Sequence, residues 1–263
     1  MKLRALGTGS PFVKHPIETA SFLLESEGSS IVFGCGFGIP KKLESINIPL
    51  SRISIWAPLN SRLEQIGGLQ EIAFKSLSGA LEKPYLAAPQ GLLDEITIKL
   101  SHIDLSAAFN LRATKAINIQ EDHHSDETIR FVPNYLQKQT ESYGLVFDSC
   151  GVFISGESAL NSEYLHRHGS PSEIILHSFS SIQHEAYTAS ATIAELETLP
   201  IYIQRKIWLY GYEKDYHDLD VPLPMLFLPQ GQDIYDSSRK MKYLDKEKFI
   251  LDEAKRVQGN TKT

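Results

Sequence analysis

The order of its apolar segments limits what this chain can fold into more than any other feature. Short runs rich in β-branched and aromatic residues, separated by Gly, Pro and Ser, come first and are followed by helix-like patterns. Leu69, Ile72 and Ala73 lie at the i, i+3, i+4 spacing of one helix face, which predicts a helix from about Glu64 to Ser76. The other predictions here are strands KLRAL (2–6), ASFLLES (20–26), SIVFG (30–34), ISIW (53–56) and KPYLAA (83–88), and a helix over 90–100.

The same order repeats in the second part of the chain. Strands are predicted at 113–119, 128–132, 143–148, 151–155, 173–179 and 205–210, helices near 159–168 and 186–198, and a final β segment around PMLFLPQGQDIYD. Strands followed by helices, twice over, indicate two sheets packed face to face with helices outside. We therefore predict an α/β fold, a four-layer αββα sandwich in which each half contributes one sheet and its covering helices.

The composition predicts one large domain. The chain has 263 residues, 42% of them apolar, which is enough material for a buried core. Its 13 prolines and 17 glycines are spread along the chain and form no Pro/Ser/Gly-rich linker. We assign residues 1–245 to a single domain and residues 246–263 to a C-terminal helix or tail, because KEKFILDEAKRVQ (246–258) is amphipathic.

Charge and hydropathy exclude several functional classes. A formal net charge of −6 argues against general nucleic-acid binding, which needs clustered Lys and Arg. The sequence shows no export signal and no run of about 18 apolar residues, so we expect a cytoplasmic protein without a membrane span. Cys35 and Cys150 lie in separate segments and are expected to be buried and reduced, since two cysteines alone make no zinc site.

Six further segments occur in an order that carries a family likeness. They are LGTGSP (6–11), SFLLES with SIVFGCGFGIPKKL, IGGLQEIAF, ESYGLVFDSCGVFISGES, ELETLP with KIWLYGYEKDY, and FLPQGQDIYD. In this order they resemble the metallo-β-lactamase fold superfamily over nearly the whole chain. LQEIAF and LETLP with LYGY are most similar to its branch of tRNase Z-like phosphodiesterases, which includes enzymes that cleave cyclic nucleotides. The resemblance implies the αββα sandwich and a homodimer.

The resemblance also implies a two-metal centre, but the ligand positions are changed. Members of the superfamily use two zinc-like ions roughly 3.5–4 Å apart to activate a bridging water. Alignment on the Gly-Gly pair of APLNSRLEQIGGL (57–69) places the His-x-His-x-Asp-His ligands on four other residues, and the remaining metal-site positions also differ. The first four are Asn60, Arg62, Glu64 and Gln65; the others are Asn134 for a histidine, Glu157 for the bridging Asp, Gly211 for the last histidine and Gly34 for a supporting Asp.

Arg62 is the most informative of these replacements. A guanidinium cannot be deprotonated to serve as a ligand, and it places a fixed positive charge where the cations would lie. We expect Arg62 to neutralise Glu64 or Glu157 through charge-assisted hydrogen bonds. The sequence therefore predicts a filled polar site, with no metal and no cofactor.

Three functional hypotheses follow. The first is a non-catalytic binding, regulatory or scaffold subunit whose cleft or surface takes a protein partner or a small anionic ligand such as a nucleotide. The second is a metal-dependent phosphodiesterase that uses a rearranged site of Glu64, Glu157 and a histidine such as His177. The third is a structural subunit with the cleft packed shut. The cleft residues of the first hypothesis are Asn60, Arg62, Glu64, Gln65, Asn134, Glu157, His177, Tyr210 and Tyr212.

Other motifs are better explained without a functional site. His123 and His124 of EDHHSDE (121–127) would point to opposite faces of a strand, so a solvated loop is favoured over a metal site. His177 stands alone and is expected to be a buried, hydrogen-bonded structural residue. GTGS (7–10) lacks the phosphate-loop pattern, and SGES (155–158) does not match the serine-hydrolase elbow.

Overall fold

A computed structural model describes residues 1–10, 17–27, 29–119, 126–135, 141–180, 190–212, 224–238 and 243–250. It contains two seven-stranded sheets. The first sheet has its antiparallel strands at one side and its parallel strands at the other. In spatial order its strands are β14 (Asp233–Asp236), β1 (Lys2–Gly7), β2 (Ser21–Glu25), β3 (Ser30–Phe33), β4 (Ile53–Ala57), β5 (Tyr85–Ala88) and β6 (Asn110–Ala113).

The second sheet is built from the later part of the chain in the same mixed manner. Its first four strands pair antiparallel, and the parallel strands follow. In reverse spatial order these are β7 (Ala116–Ile119), β8 (Glu127–Tyr135), β9 (Glu141–Phe147), β10 (Val152–Ile154), β11 (Ile174–Ser178), β12 (Ile207–Tyr210) and β13 (Leu226–Phe227).

Helices cover the outer face of each sheet. The first sheet carries α1 (Ile39–Ser45), α2 (Leu63–Ile66), α3 (Leu69–Leu77), α4 (Gln90–Lys99) and α5 (Leu105–Ala108), and the second carries α6 (Ser162–Gly169), α7 (Ile193–Leu196) and α8 (Ile201–Gln204). Between the sheets lies a third core, in which the rings of Phe33 and Phe147 meet edge to face at 5.8 Å. The layers follow the order helix, sheet, sheet, helix. This arrangement confirms the predicted four-layer αββα sandwich.

Several local predictions need correction. The helix expected from Glu64 to Ser76 is interrupted at Gly67 and Gly68, giving α2 and α3. The final β segment splits into β13 of the second sheet and β14, which crosses back to pair antiparallel with β1. The C-terminal part of the chain therefore contributes to both sheets, not to one.

The start of the C-terminal segment is attached to the second sheet. Residues 246–250 are helical, and the Phe249 ring packs edge to face on Trp208 at 5.4 Å. Lys246 Nζ donates to the carbonyl oxygens of Ile207 and Pro224, both at 2.6 Å. The rest of the predicted terminal helix lies outside the described residues, and the division at residue 245 stays a prediction.

No helix in the described ranges has the length and apolar character needed to cross a membrane.

Candidate functional site

The loop between β4 and α2, residues 58–62, is held against the second sheet. Asn60 forms an isolated antiparallel bridge with Ser142 of β9, and Tyr143 N donates to Leu59 O at 2.8 Å. The side chain of Asn60 turns back, and its Oδ1 accepts from Arg62 N at 3.0 Å. These bonds fix the segment from which the side chains of Asn60 and Arg62 project.

Arg62 lies between two carboxylates that come from different parts of the fold. Its Nε is 2.9 Å from Glu64 Oε1, and its Nη1 is 3.1 Å from Glu157 Oε2. Glu157 belongs to the 155–161 loop, which follows β10 of the second sheet. The three side chains are only 20%, 15% and 14% exposed, respectively. Arg62 thus pairs with both of the acidic residues that the sequence offered as alternatives.

The environment of Glu157 disfavours its ionised form despite this pairing. Burial raises its pKa to about 7, with a further rise from the neighbouring charge of Glu64, while the charge of Arg62 acts in the opposite direction. Asn60 Nδ2 adds a long contact of 3.5 Å to Glu157 Oε2. A carboxyl group that exchanges a proton near neutral pH therefore sits at the centre of the cluster.

Gln65 and Gly34 fit each other sterically. Gln65 Nε2 donates to Ala20 O at 3.1 Å, which holds the amide inside the cleft wall. A Cβ at Gly34, whose φ is +76°, would lie 2.6 Å from Gln65 Oε1. A side chain at position 34 would therefore collide with Gln65. The resemblance places a supporting Asp at position 34, and the glutamine at 65 leaves room there only for the glycine that this chain has.

The Gly67-Gly68 pair is explained by close packing. A Cβ at Gly67 would lie 2.6 Å from the ring of Phe37. A Cβ at Gly68 would lie 2.4 Å from Gly36 O and 2.8 Å from the sulfur of the buried Cys35. Both glycines thus let the start of α3 approach the segment after β3 closely.

His177 and Asn134 support the 155–161 loop from behind, through hydrogen bonds to Ser155. His177 is fully buried, and its Nδ1 is 2.5 Å from Ser155 Oγ. Burial lowers the pKa of His177 to about 4, so the imidazole is neutral at pH 7. Asn134 Nδ2 donates to Ser155 O at 2.6 Å. His177 is thus the buried, hydrogen-bonded residue that we expected.

The two candidate tyrosines are separated by Gly211. Tyr210 lies in the core between the sheets and meets Phe22 edge to face at 5.5 Å, and it also lines a cavity beside Glu157. Tyr212 lies in the core under the helices of the second sheet, with its hydroxyl 2.5 Å from Thr8 Oγ1 and 3.1 Å from Leu228 O. Tyr212 is therefore buried in packing and is not a cleft donor or stacking group.

The cavity beside Glu157 is small. The described residues enclose about 20 Å³, lined in part by hydroxyl groups of Ser10, Ser178 and Ser180. This volume is close to that needed for one water molecule.

The residues at the former ligand positions do not fit a two-metal centre. Zinc sites need imidazole, thiolate or carboxylate donors, whereas Asn60 and Gln65 offer amides and Gly211 offers no side chain. The carboxylates of Glu64 and Glu157 are both bonded to a cation that belongs to the chain. Within the described ranges no three His, Cys, Asp or Glu side chains are grouped so that they could hold a metal ion. A rearranged site of Glu64, Glu157 and His177 is therefore not assembled there, and His123 and His124 lie outside the described residues.

The residues that fix the 58–62 loop from its other side were not predicted from the sequence. Ser61 is fully buried, and its Oγ donates to Glu95 Oε2 at 2.5 Å and accepts from Lys99 Nζ at 2.8 Å. Lys99 Nζ also donates to Ser61 O at 3.0 Å, and Glu95 Oε1 accepts from Glu141 N at 3.1 Å. Glu95 and Lys99 are four residues apart on α4, a spacing that the sequence does display.

Solved structures with the same architecture belong to the metallo-β-lactamase fold. The metallo-β-lactamase fold protein YhfI from Bacillus subtilis superposes with a TM-score of 0.66 at 12% identity, covering 88% of this chain and 98% of that protein. The short form of human tRNase Z superposes with a TM-score of 0.62 at 15% identity, covering 89% and 98%. At these identities the likeness shows the fold alone, and it confirms the fold that the motifs imply.

Sequence comparison identifies the family. Residues 1–233 match the profile of the family described as Anti-Pycsar protein Apyc1. A protein of that name from Paenibacillus harenae is 26% identical over 226 residues, covering 81% of this chain and 90% of the relative. Another, from Bacillus phage BSP38, is 25% identical over 183 residues, covering 62% and 71%. The chain therefore belongs to the Anti-Pycsar protein Apyc1 family, on a metallo-β-lactamase fold.

Proposed function

We propose that this protein is a non-catalytic member of the Apyc1 family that works by binding, as a regulatory or scaffold subunit. The observation that carries the proposal is the Arg62 guanidinium, which lies between Glu64 and Glu157 where the resemblance places metal ions. The relatives carry the name Anti-Pycsar protein. We propose that this chain shares a role in opposing Pycsar and performs it without hydrolysis.

The chemistry of the remaining side chains supports the absence of hydrolysis. Two-metal hydrolysis requires ions that lower the pKa of a bound water and stabilise the attacking and leaving oxygens. A guanidinium stays protonated, has no lone pair to offer a metal and cannot accept a proton from water. Asn60 and Gln65 are neutral amides and do not act as general bases.

The site geometry favours a protein partner over a small anionic ligand. A phosphate at Arg62 would compete with the carboxylates of Glu157 and Glu64, which already accept hydrogen bonds from its Nη1 and Nε. The adjoining cavity has room for about one water. Phe37 and Leu63, next to the cleft, are 60% and 52% exposed, so a protein bound there would bury two apolar side chains.

A turnover assay tests the non-catalytic part of the proposal. The purified chain is incubated with each of four 3′,5′-cyclic nucleotides and zinc or manganese, and the products are separated by chromatography. We expect no product above the protein-free control. Product formation that increases with protein concentration and is lost in Glu157→Gln would contradict the proposal. It would show that the chain is an active hydrolase.

A binding assay tests the nature of the partner. Titration calorimetry with the same nucleotides is expected to show no heat of binding, and affinity capture from cells producing Pycsar components is expected to recover a protein. Leu63→Asp and Phe37→Asp should reduce that recovery at least tenfold, whereas Ile98→Asp, at an exposed apolar residue of α4, serves as the matched control. Saturable nucleotide binding lost in Arg62→Ala would instead favour the small anionic ligand.

A further inference from the structure

Arg62 connects two parts of the fold that the backbone does not join directly. Its own loop follows β4 of the first sheet, and Glu157 lies just after β10 of the second sheet. Glu64, the other acceptor, is in α2, in the first sheet's half. The guanidinium therefore ties the two sheets together at the edge where their loops meet.

Two carboxylates brought this close and largely removed from water destabilise the folded state unless a cation lies between them. In the resembled hydrolases metal ions supply that positive charge, but among the described residues no three His, Cys, Asp or Glu side chains are grouped to hold one. Arginine suits the task because its planar guanidinium directs several N–H groups to different acceptors at once. Here Nε and Nη1 each serve one carboxylate.

We propose that the Arg62 guanidinium is a built-in cation that has replaced metal ions as the stabilising bridge between the 58–62 loop and the 155–161 loop. The fold is then complete and stable without any bound ion. This role goes beyond the proposed binding function, because it concerns the stability of the chain and does not depend on a ligand.

The position of the guanidinium is fixed by its neighbours along the chain. Ser61 is buried and bonded to Glu95 and Lys99 of α4, and Asn60 is bridged to Ser142 of β9. The backbone on the N-terminal side of Arg62 is thus held from both sides. A side chain anchored in this way loses little additional conformational entropy when it pairs, which makes the ionic bridge more favourable.

The chain provides a matched control in a second arginine pair. Arg130 binds Asp148 through both carboxylate oxygens at 2.9 Å, but their side chains are 46% and 37% exposed. Water screens an exposed pair, so its contribution to stability is typically no more than about 1 kcal/mol. The buried pairs of Arg62 are expected to contribute much more to stability. Comparing the two arginines therefore distinguishes a buried bridge from an ordinary surface ion pair.

Thermal unfolding of the full chain at about pH 8 tests the proposal. We expect Arg62→Ala to lower the melting temperature by roughly 5–15 °C, and Arg130→Ala to lower it by less than about 2 °C. Arg62→Lys should be intermediate, because an ammonium group lacks the planar fork. The wild-type melting temperature should change by less than about 1 °C in zinc or in EDTA, since no ion stabilises the native state.

The paired variant Arg62→Met with Glu157→Gln keeps the proposal testable if Arg62→Ala does not fold. It removes the cation and one carboxylate together, so it should fold even if Arg62→Ala does not. If both fold, its melting temperature should fall by at most half as much as that of Arg62→Ala. Arg62→Ala or Arg62→Lys as stable as wild type would overturn the proposal. So would a wild-type protein that loses stability in EDTA, whether or not it binds a partner.

Discussion

Arg62 Nη1 lies 3.1 Å from Glu157 Oε2, so the loop after β4 and the loop after β10 are joined by a charge-assisted hydrogen bond. The pair spans the two sheets of a metallo-β-lactamase fold at the positions where the resembled enzymes place metal ligands. Its partners on either side, Asn60 and Glu64, complete a cluster made entirely of the chain's own side chains.

Glu157→Gln should change how stability depends on pH. The folded-state pKa of Glu157 is raised to about 7, above that of an unfolded glutamate, so between about pH 4.5 and 7 the folded state binds more protons. The contribution of this group to the free energy of unfolding is complete below about pH 4.5 and is lost as pH rises to 7, by up to about 3 kcal/mol. Urea unfolding across this range measures the difference between wild type and Glu157→Gln. A wild-type free energy of unfolding that does not fall relative to that of Glu157→Gln as pH rises would contradict the account.

His177 should have the opposite pH dependence. Its folded-state pKa is lowered to about 4, so between about pH 4 and 6.5 the unfolded state binds more protons. Stability from this group is present above about pH 6.5 and falls by up to about 3 kcal/mol as pH drops to 4. NMR titration of the imidazole tests this directly. An imidazolium signal for His177 at about pH 6 would show that the ring is not the neutral partner of Ser155.

Ser61→Ala should loosen the 58–62 loop. The substitution leaves Glu95 and Lys99 without the hydroxyl that they share, and we expect a loss of about 1–3 kcal/mol in the free energy of unfolding by urea. Ser106→Ala is the control, because Ser106 also bonds a carboxylate, Asp104 Oδ1 at 2.7 Å, but is exposed. That control should change stability by no more than about 0.5 kcal/mol. Equal losses in the free energy of unfolding would show that the buried Ser61 hydroxyl stabilises the fold no more than an exposed one.

Alanine substitution of the two neighbouring glycines should have unequal effects. Gly68→Ala places a methyl group against the Gly36 carbonyl and the Cys35 sulfur, which are held by the backbone and the core, so we expect a loss of about 1–3 kcal/mol. Gly67→Ala would first meet the ring of Phe37, which is exposed and can rotate away. Its loss should be smaller in the same urea experiment. Equal losses would mean that Phe37 is as rigidly held as the core.

The sheets could be predicted from sequence because their strands bury whole apolar runs between Gly and Pro boundaries, as in SFLLE and SIVF. Strand β6 could not, since all four of its residues are exposed and carry no apolar pattern. Helix α1 was missed because only Ile39, Pro40 and Leu43 mark its buried face. The crossing of β14 to the first sheet is a long-range pairing with β1, which local patterns do not encode.

The candidate site was predicted in part for similar reasons. Arg62, Glu64 and Glu157 do meet, because opposite charges in a shared cleft constrain one another even at long sequence separation. Tyr210 and Tyr212 would share a face in a regular strand, but Gly211 has a φ of +88° and turns the two side chains into different cores. The predicted homodimer is independent of these contacts and is tested by the mass in light scattering.

Metal content of the purified protein tests the central claim most directly. The chain is incubated with zinc and manganese, any affinity tag is removed, and the bound metal is measured by plasma mass spectrometry. We predict less than about 0.1 equivalent of metal per chain, because the charge of Arg62 and the lost imidazole ligands disfavour a dication. One or two tightly held equivalents, lost in Glu64→Ala or Glu157→Ala, would contradict the account and identify a rearranged metal site.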